Sequence, residues 1–206
     1  MNRYQKPAIE QRVSVMNKRR LILFLSVVAV LTLSCSVFAT EFHADMKMEG
    51  GEETVIGKIF VSGSLMRQEM DVPGGGKSIG VVDGAKNIMY VIMPQEKMYM
   101  EFPNEQIVLG DEDIEAWLSD EADLKKIGTE TIEGYKCDKY EVNYKDPDRQ
   151  AMGSSVIWIA QKLNFPIRGV TEDEDGKVTV TYTNIKEGPQ DKALFEIPKD
   201  YQKFAF

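Results

Sequence analysis

From Phe42 onward the chain alternates with a period of two. Phe42, Ala44, Met46 and Met48 are apolar, while His43, Asp45 and Lys47 between them and Glu49 after them are polar. Successive side chains of a β-strand point to opposite faces, so this spacing builds a half-buried strand with one wet face. Further runs follow at 54–62, 64–71, 77–83, 87–93 and 97–102, then at 127–133, 136–144, 154–161, 167–172 and 178–186. Turn residues separate them: Ser62-Gly63, Pro73-Gly74-Gly75-Gly76, Asp83-Gly84, Pro94-Gln95-Glu96, Glu133-Gly134 and Asp175-Gly176. About eleven short strands joined as hairpins predict one strongly curved antiparallel sheet, not a parallel α/β design. The fold class is mainly β.

One segment departs from that period. Residues 111–126 begin with acids, end on Lys125-Lys126, and place Ile114, Trp117, Leu118 and Leu124 at helical spacing. Acids at the start and cations at the end complement the helix dipole, so one principal amphipathic helix is expected to cover the sheet.

The first forty residues read as an address. Lys18-Arg19-Arg20 precedes an apolar run from Leu21 to Leu33, and Val37-Phe38-Ala39 supplies a small-x-small cleavage site. Residues 1–39 are thus expected to be an N-terminal extension and secretory signal peptide, with a single β domain at 40–206. Met16 makes a more typical start than Met1. Two rival readings are an uncleaved span from Leu21 to Ala39, weakened by Ser26, Thr32, Ser34 and Ser36, and lipidation at Cys35, where only Ser34 fits the lipoprotein pattern. Cleavage would place the protein in the periplasm or outside the cell; the rivals would anchor it to a membrane.

Charge and rare residues narrow the function. The formal net charge is −8, and losing Arg3, Lys6, Arg12, Lys18, Arg19, Arg20 and Glu10 with the leader takes it to −13. Such a surface excludes a nucleic-acid binder, is repelled by anionic headgroups and favours a soluble monomer. One histidine and two cysteines build no Cys/His zinc site and leave His43 as the sole candidate for a Ser–His–Asp or Cys–His centre. His43 sits on the polar side of its strand and reads as solvated. Gly74-Gly75-Gly76-Lys77-Ser78 lacks the first P-loop glycine, because Asp71 occupies that position. Around Asp173-Glu174-Asp175-Gly176 the first and twelfth positions of a calcium loop fall on Thr171 and Tyr182. Both stretches read as hairpin loops. No metal, no cofactor and no catalytic residue is expected, and the chain reads as a non-enzyme. Cys137, unpaired once the leader is gone, reads as a buried, inert thiol.

The methionines carry more information. Met46, Met48, Met98 and Met100, with Phe102, sit where alternation points inward. Methionine fills gaps in ordinary cores, and it also adapts to varied apolar partners. These five residues, joined by Trp158 or by Ile157 and Ile159 according to which face of that strand is buried, are the candidate lining of a hydrophobic ligand cavity. One residue of register decides the tryptophan.

The order of motifs resembles the periplasmic lipoprotein carrier (LolA/LolB-like) superfamily and its exported sister families of unknown function. Leu65-Met66-Arg67-Gln68-Glu69, Val82-Asp83-Gly84, Met89-Tyr90-Val91 and Pro94-Gln95-Glu96-Lys97-Met98 match its first half. Gly134-Tyr135-Lys136, Val156-Ile157-Trp158-Ile159, Phe165-Pro166-Ile167-Arg168, Asp175-Gly176-Lys177 and Leu194-Phe195-Glu196-Ile197-Pro198 match its second. The resemblance implies an unclosed antiparallel half-barrel whose concave apolar face shelters acyl chains. The carrier's lid-locking arginine has no counterpart near Val61-Ser62-Gly63, so that role is not carried over. The expected function is an exported envelope protein that binds a lipid or the acyl chains of a lipoprotein, as carrier or chaperone. The alternative is a ligand-free structural or sensory module that docks an envelope protein partner.

Overall fold

The computed structural model describes residues 41–50, 53–72, 74, 76–103, 114–150, 153–173 and 176–204. The expected signal segment with Cys35 and Ala39, residues 111–113, and Met152 lie outside the described residues. No helix among the described residues is long and apolar enough to cross a membrane.

Twelve strands form one sheet. In chain order they are β1 (Glu41–Gly50), β2 (Glu53–Ser62), β3 (Leu65–Val72), β4 (Gly76–Asp83), β5 (Ile88–Met93), β6 (Met98–Pro103), β7 (Ala122–Ile132), β8 (Tyr135–Tyr144), β9 (Ser154–Ala160), β10 (Phe165–Asp173), β11 (Gly176–Glu187) and β12 (Gln202–Lys203). Their spatial order is β12-β6-β5-β4-β3-β2-β1-β11-β10-β9-β8-β7. The sheet is open, with β12 and β7 at its edges, and it is an unclosed half-barrel as expected. Every pairing is antiparallel except β12 on β6. The local reason is the turn chemistry. At the β7–β8 hairpin, for instance, Glu133 and Gly134 both adopt positive φ (51° and 82°). That is the pair of conformations a type I′ turn requires.

Two expectations are corrected. The helix, α1, spans only Ile114–Glu121, and Leu124, Lys125 and Lys126 belong to β7. Its last turn therefore holds no cation. The apolar spacing of Ala122 and Leu124 satisfies a strand as well as a helix, and pairing with β8 decides between them (Ala122 opposite Tyr144, Leu124 opposite Val142). The second correction is β12, two residues that pair beside Met98 and Tyr99 and leave no periodic trace in the sequence. A one-turn helix, α2 (Pro147–Gln150), links β8 to β9.

Both faces of the sheet are packed, by different means. On one face α1 lays Ile114, Trp117 and Leu118 over Tyr140, Val142, Tyr144, Ile157 and Ile159 of β8 and β9. On the other, a 3-10 turn at Lys192–Phe195 brings Phe195, with Leu194, Ile197 and Tyr201, onto Ile79, Val81 and Ile92. Arg67 fastens this second cover. Its Nη1 donates to the Leu194 carbonyl at 2.8 Å and its Nε to Glu69 at 2.7 Å, while Lys77 reaches the other Glu69 oxygen at 2.6 Å.

Burial by itself pushes the Glu69 carboxyl up, but the hydrogen bonds and charges of Lys77 and Arg67 outweigh it and hold the pKa below its ordinary 4.5. A carboxylate depressed on folding contributes stability above its unfolded pKa, and that contribution disappears as pH falls through the folded value. Glu69→Gln is therefore expected to lower the melting temperature at pH 7 and to converge with the parent protein as pH is taken well below 4.5. A melting-temperature series against pH checks this; parallel curves would exclude a role for the Glu69 charge.

Candidate functional site

Strand registers assign every side chain to a face. Met46 and Met48 of β1 oppose Gly57 and Val55 of β2, and Gly57 in turn opposes Met70 of β3. Met66 opposes Val82 of β4, Val82 opposes Met89 of β5, and Met89 opposes Phe102 of β6. Met100 opposes Val91, and Met98 opposes Met93. All eight described methionines, of 11 in the chain, therefore stand with Phe102 on one face. It is the face that α1 covers at the far end, because Met46 opposes Tyr182, Val180 opposes Gly169, Gly169 opposes Ile157, and Ile157 opposes Tyr140. Met46, Met66 and Met70 are buried, whereas Met48, Met89, Met93, Met98, Met100 and Phe102 are half-buried.

The other face of the same strands is made differently. There Ile79, Val81, Ile92, Tyr90 and Tyr99 meet the C-terminal cover. β-Branched and aromatic residues are what a sealed pleated surface selects, and methionine is not. Concentrating the flexible thioethers on one side marks that side as adaptable.

Room is left on the methionine face. Gly80 of β4 lies between Gln68 of β3 and Val91 of β5. A Cβ built there would meet no atom of the described residues within 4 Å, and the same holds at Gly169 of β10. A close-packed core would put atoms at both positions. The face also holds a buried polar residue, Gln68, 2% exposed, whose Nε2 donates to the Met46 sulfur at 2.9 Å.

The sequence brought five of its six site candidates to this face. Met46, Met48, Met98, Met100 and Phe102 share it; Trp158 does not. Trp158 opposes Arg168 and Lys139, and those two cations bracket its ring at 5.1 and 4.7 Å from the centroid. Its indole N–H donates to Glu130 at 2.8 Å. Ile157 and Ile159 take the α1 side instead. Trp158 is thus a packing residue of the opposite face. Trp158→Ala is expected to cost about 3 kcal/mol, lowering the melting temperature by roughly 10 °C, with no effect on ligand affinity. Thermal unfolding and a binding titration of the same variant check both halves.

Elsewhere the structure offers little chemistry. A solvent-open groove lined by Glu133, Tyr135, Lys136, Gln161, Lys162 and Glu187 is rimmed by charges. They already satisfy one another, with Lys162 and the Tyr135 hydroxyl both on Glu187 at 2.6 and 2.9 Å. Burial and that carboxylate push the Tyr135 hydroxyl up to about 12. Cys137 is fully buried, its thiol donating to the Tyr135 carbonyl at 3.3 Å and its pKa raised chiefly by burial. Among the described residues no three His, Cys, Asp or Glu side chains gather as a metal site.

A domain of unknown function, DUF4412, matches residues 38–164. The chain belongs to that family. No curated protein matches it. Among solved structures, the sheet is similar to MucB in the Pseudomonas aeruginosa MucA/MucB complex. The identity is 14% and the TM-score 0.50, covering 79% of this chain and 57% of that one. It is also similar to a LolA superfamily protein from Nitrosomonas europaea, 10% identical over 84% of this chain and 96% of that one, with a TM-score of 0.36. This DUF4412 chain thus spans little more than half the length of the MucB chain it matches. At such identities the likeness concerns the fold alone, and that fold is the LolA/LolB-like open sheet that the sequence motifs implied.

Proposed function

We propose that this is an exported envelope protein that binds a hydrophobic ligand, a lipid or the acyl chains of a lipoprotein, on its methionine face, and that it works as a carrier or chaperone without catalysing a reaction. The observation that carries this reading is the segregation of all eight described methionines onto one face that also has open room at Gly80 and Gly169. A flexible thioether surface wraps chains of differing shape, as a carrier's cargo demands. The acidic surface suits it, since a net charge of −8, or −13 after leader cleavage, keeps a periplasmic carrier from sticking to anionic bilayers between encounters. The similarity to the LolA superfamily protein is consistent with this reading at the level of fold.

The second reading, a ligand-free module that docks a protein partner, draws on the MucB structure having been solved with MucA bound. The free edge at β7 does not favour strand addition, because it carries Lys125, Lys126 and a bulge between Lys126 and Gly128, devices that protect edges. Native mass spectrometry of protein purified without detergent from a bacterial host separates the two. Retained lipid of acyl-chain mass is the expected result. Ligand-free protein that also fails to take up added phospholipid would move the function to the docking reading.

A further inference from the structure

The methionine face carries a polar pair that hydrocarbon alone would leave unanswered. Tyr182 of β11 is 1% exposed, its ring wedged edge-on against Phe165 at 5.5 Å, and its hydroxyl has no hydrogen-bond partner among the described residues. Gln68 of β3 uses its amide nitrogen on the Met46 sulfur, and its Oε1 likewise has no partner. Exchanging the two ends of the amide would only move the orphan from oxygen to nitrogen. Both residues belong to the surroundings of Met46: Tyr182 opposes it directly across β1 and β11, and Gln68 touches its sulfur. Gly80, where an added Cβ would meet no described atom within 4 Å, is the strand neighbour of Gln68.

Buried polar atoms without partners are rare and costly, so two of them around Met46, one of them on the strand neighbour of Gly80, point to a group supplied from outside. That group can be specified. Gln68 Oε1 only accepts, so it needs a donor; the Tyr182 hydroxyl both donates and accepts. Ala44, Gly57, Ile59, Met70 and Val180 surround the pair on this face and carry no charge. A carboxylate or phosphate buried there would find no cation and could not donate to Gln68. A hydroxyl has the chemistry either atom needs, a donor for the Gln68 oxygen and a donor or acceptor for the Tyr182 hydroxyl.

We infer that Gln68 and Tyr182 recognise a neutral hydrogen-bonding group on the ligand's chain, so that the preferred cargo is a hydroxylated acyl chain and not a plain one. This rests on the reading of the methionine face as an acyl-chain site, and the test separates the two. The full-length protein, delipidated, is titrated with a plain sixteen-carbon acyl chain and with monohydroxylated isomers bearing the hydroxyl at successive positions. In a purely apolar cavity every isomer binds about tenfold or more weakly than the plain chain, because its hydroxyl loses water without compensation. With the pair in place, at least one position is expected to bind about tenfold tighter than the plain chain. Tyr182→Phe and Gln68→Leu are each expected to erase that preference in a variant that still folds and still binds the plain chain; Gln68→Met serves if the leucine variant misfolds. All isomers binding more weakly than the plain chain overturns this inference alone. Failure of every chain to bind overturns it together with the reading beneath it.

Discussion

Across acyl chains from ten to sixteen carbons, affinity for the delipidated protein is expected to rise by roughly three orders of magnitude. Each buried methylene contributes about 0.8 kcal/mol, and six of them contribute about 5 kcal/mol. The gain requires a surface that keeps burying chain as it lengthens. On the proposed reading the half-buried methionines supply one, Met48 on β1 together with Met89 and Met93 on β5 and Met98 and Met100 on β6. A filled core with only a shallow surface groove would saturate early. Fluorescent-ligand displacement across the series measures the slope, and affinities that level off beyond eight carbons would exclude an extended apolar site.

Filling the room at Gly80 should separate cavity from core by the sign of its effect on stability. Gly80 lies in a regular strand, and a Cβ there meets no described atom within 4 Å. If the space is free, Gly80→Leu fits without strain and the melting temperature holds or rises. If the face were close-packed, the extra side chain would cost about 1–3 kcal/mol by overpacking. The leucine displaces the volume of about four methylenes of ligand, worth about 3 kcal/mol. Acyl-chain affinity should therefore fall roughly a hundredfold while the fold is kept. Thermal unfolding and the same displacement assay read both effects; loss of stability with unchanged binding would contradict the placement of the ligand.

How much of this was legible in the sequence depends on how much contrast each strand carries. β1 alternates apolar with polar, so its register could be read directly and Met46 and Met48 share the more buried face of their strand. β9 reads Val156-Ile157-Trp158-Ile159, apolar on both sides, and its face was set only by pairing with β8 and β10. Trp158 then turned away from the methionines because Lys139 and Arg168 stack on its ring. The end of α1 was hidden for a related reason: Leu124 fits both periods. Gln68 stands between Arg67 and Glu69, and nothing in its own spacing marks it as a site residue. Only the register with Ile59 and Gly80 shows that it alone of the three faces the methionines. The open space at Gly80 and Gly169 has no sequence signature, because glycine is equally at home in tight turns and close approaches.

The most direct measurement is methyl NMR of protein labelled at the methionine and isoleucine methyl groups, titrated with a sixteen-carbon acyl ligand. Each described methionine reports on one face, and isoleucine methyls at Ile79 and Ile92 report on the other. The expected result is saturable shifts at Met48, Met89, Met93, Met98 and Met100 with Ile79 and Ile92 unmoved. Shifts confined to Ile79 and Ile92, or none at any methionine at saturating ligand, would contradict a hydrophobic site on the methionine face.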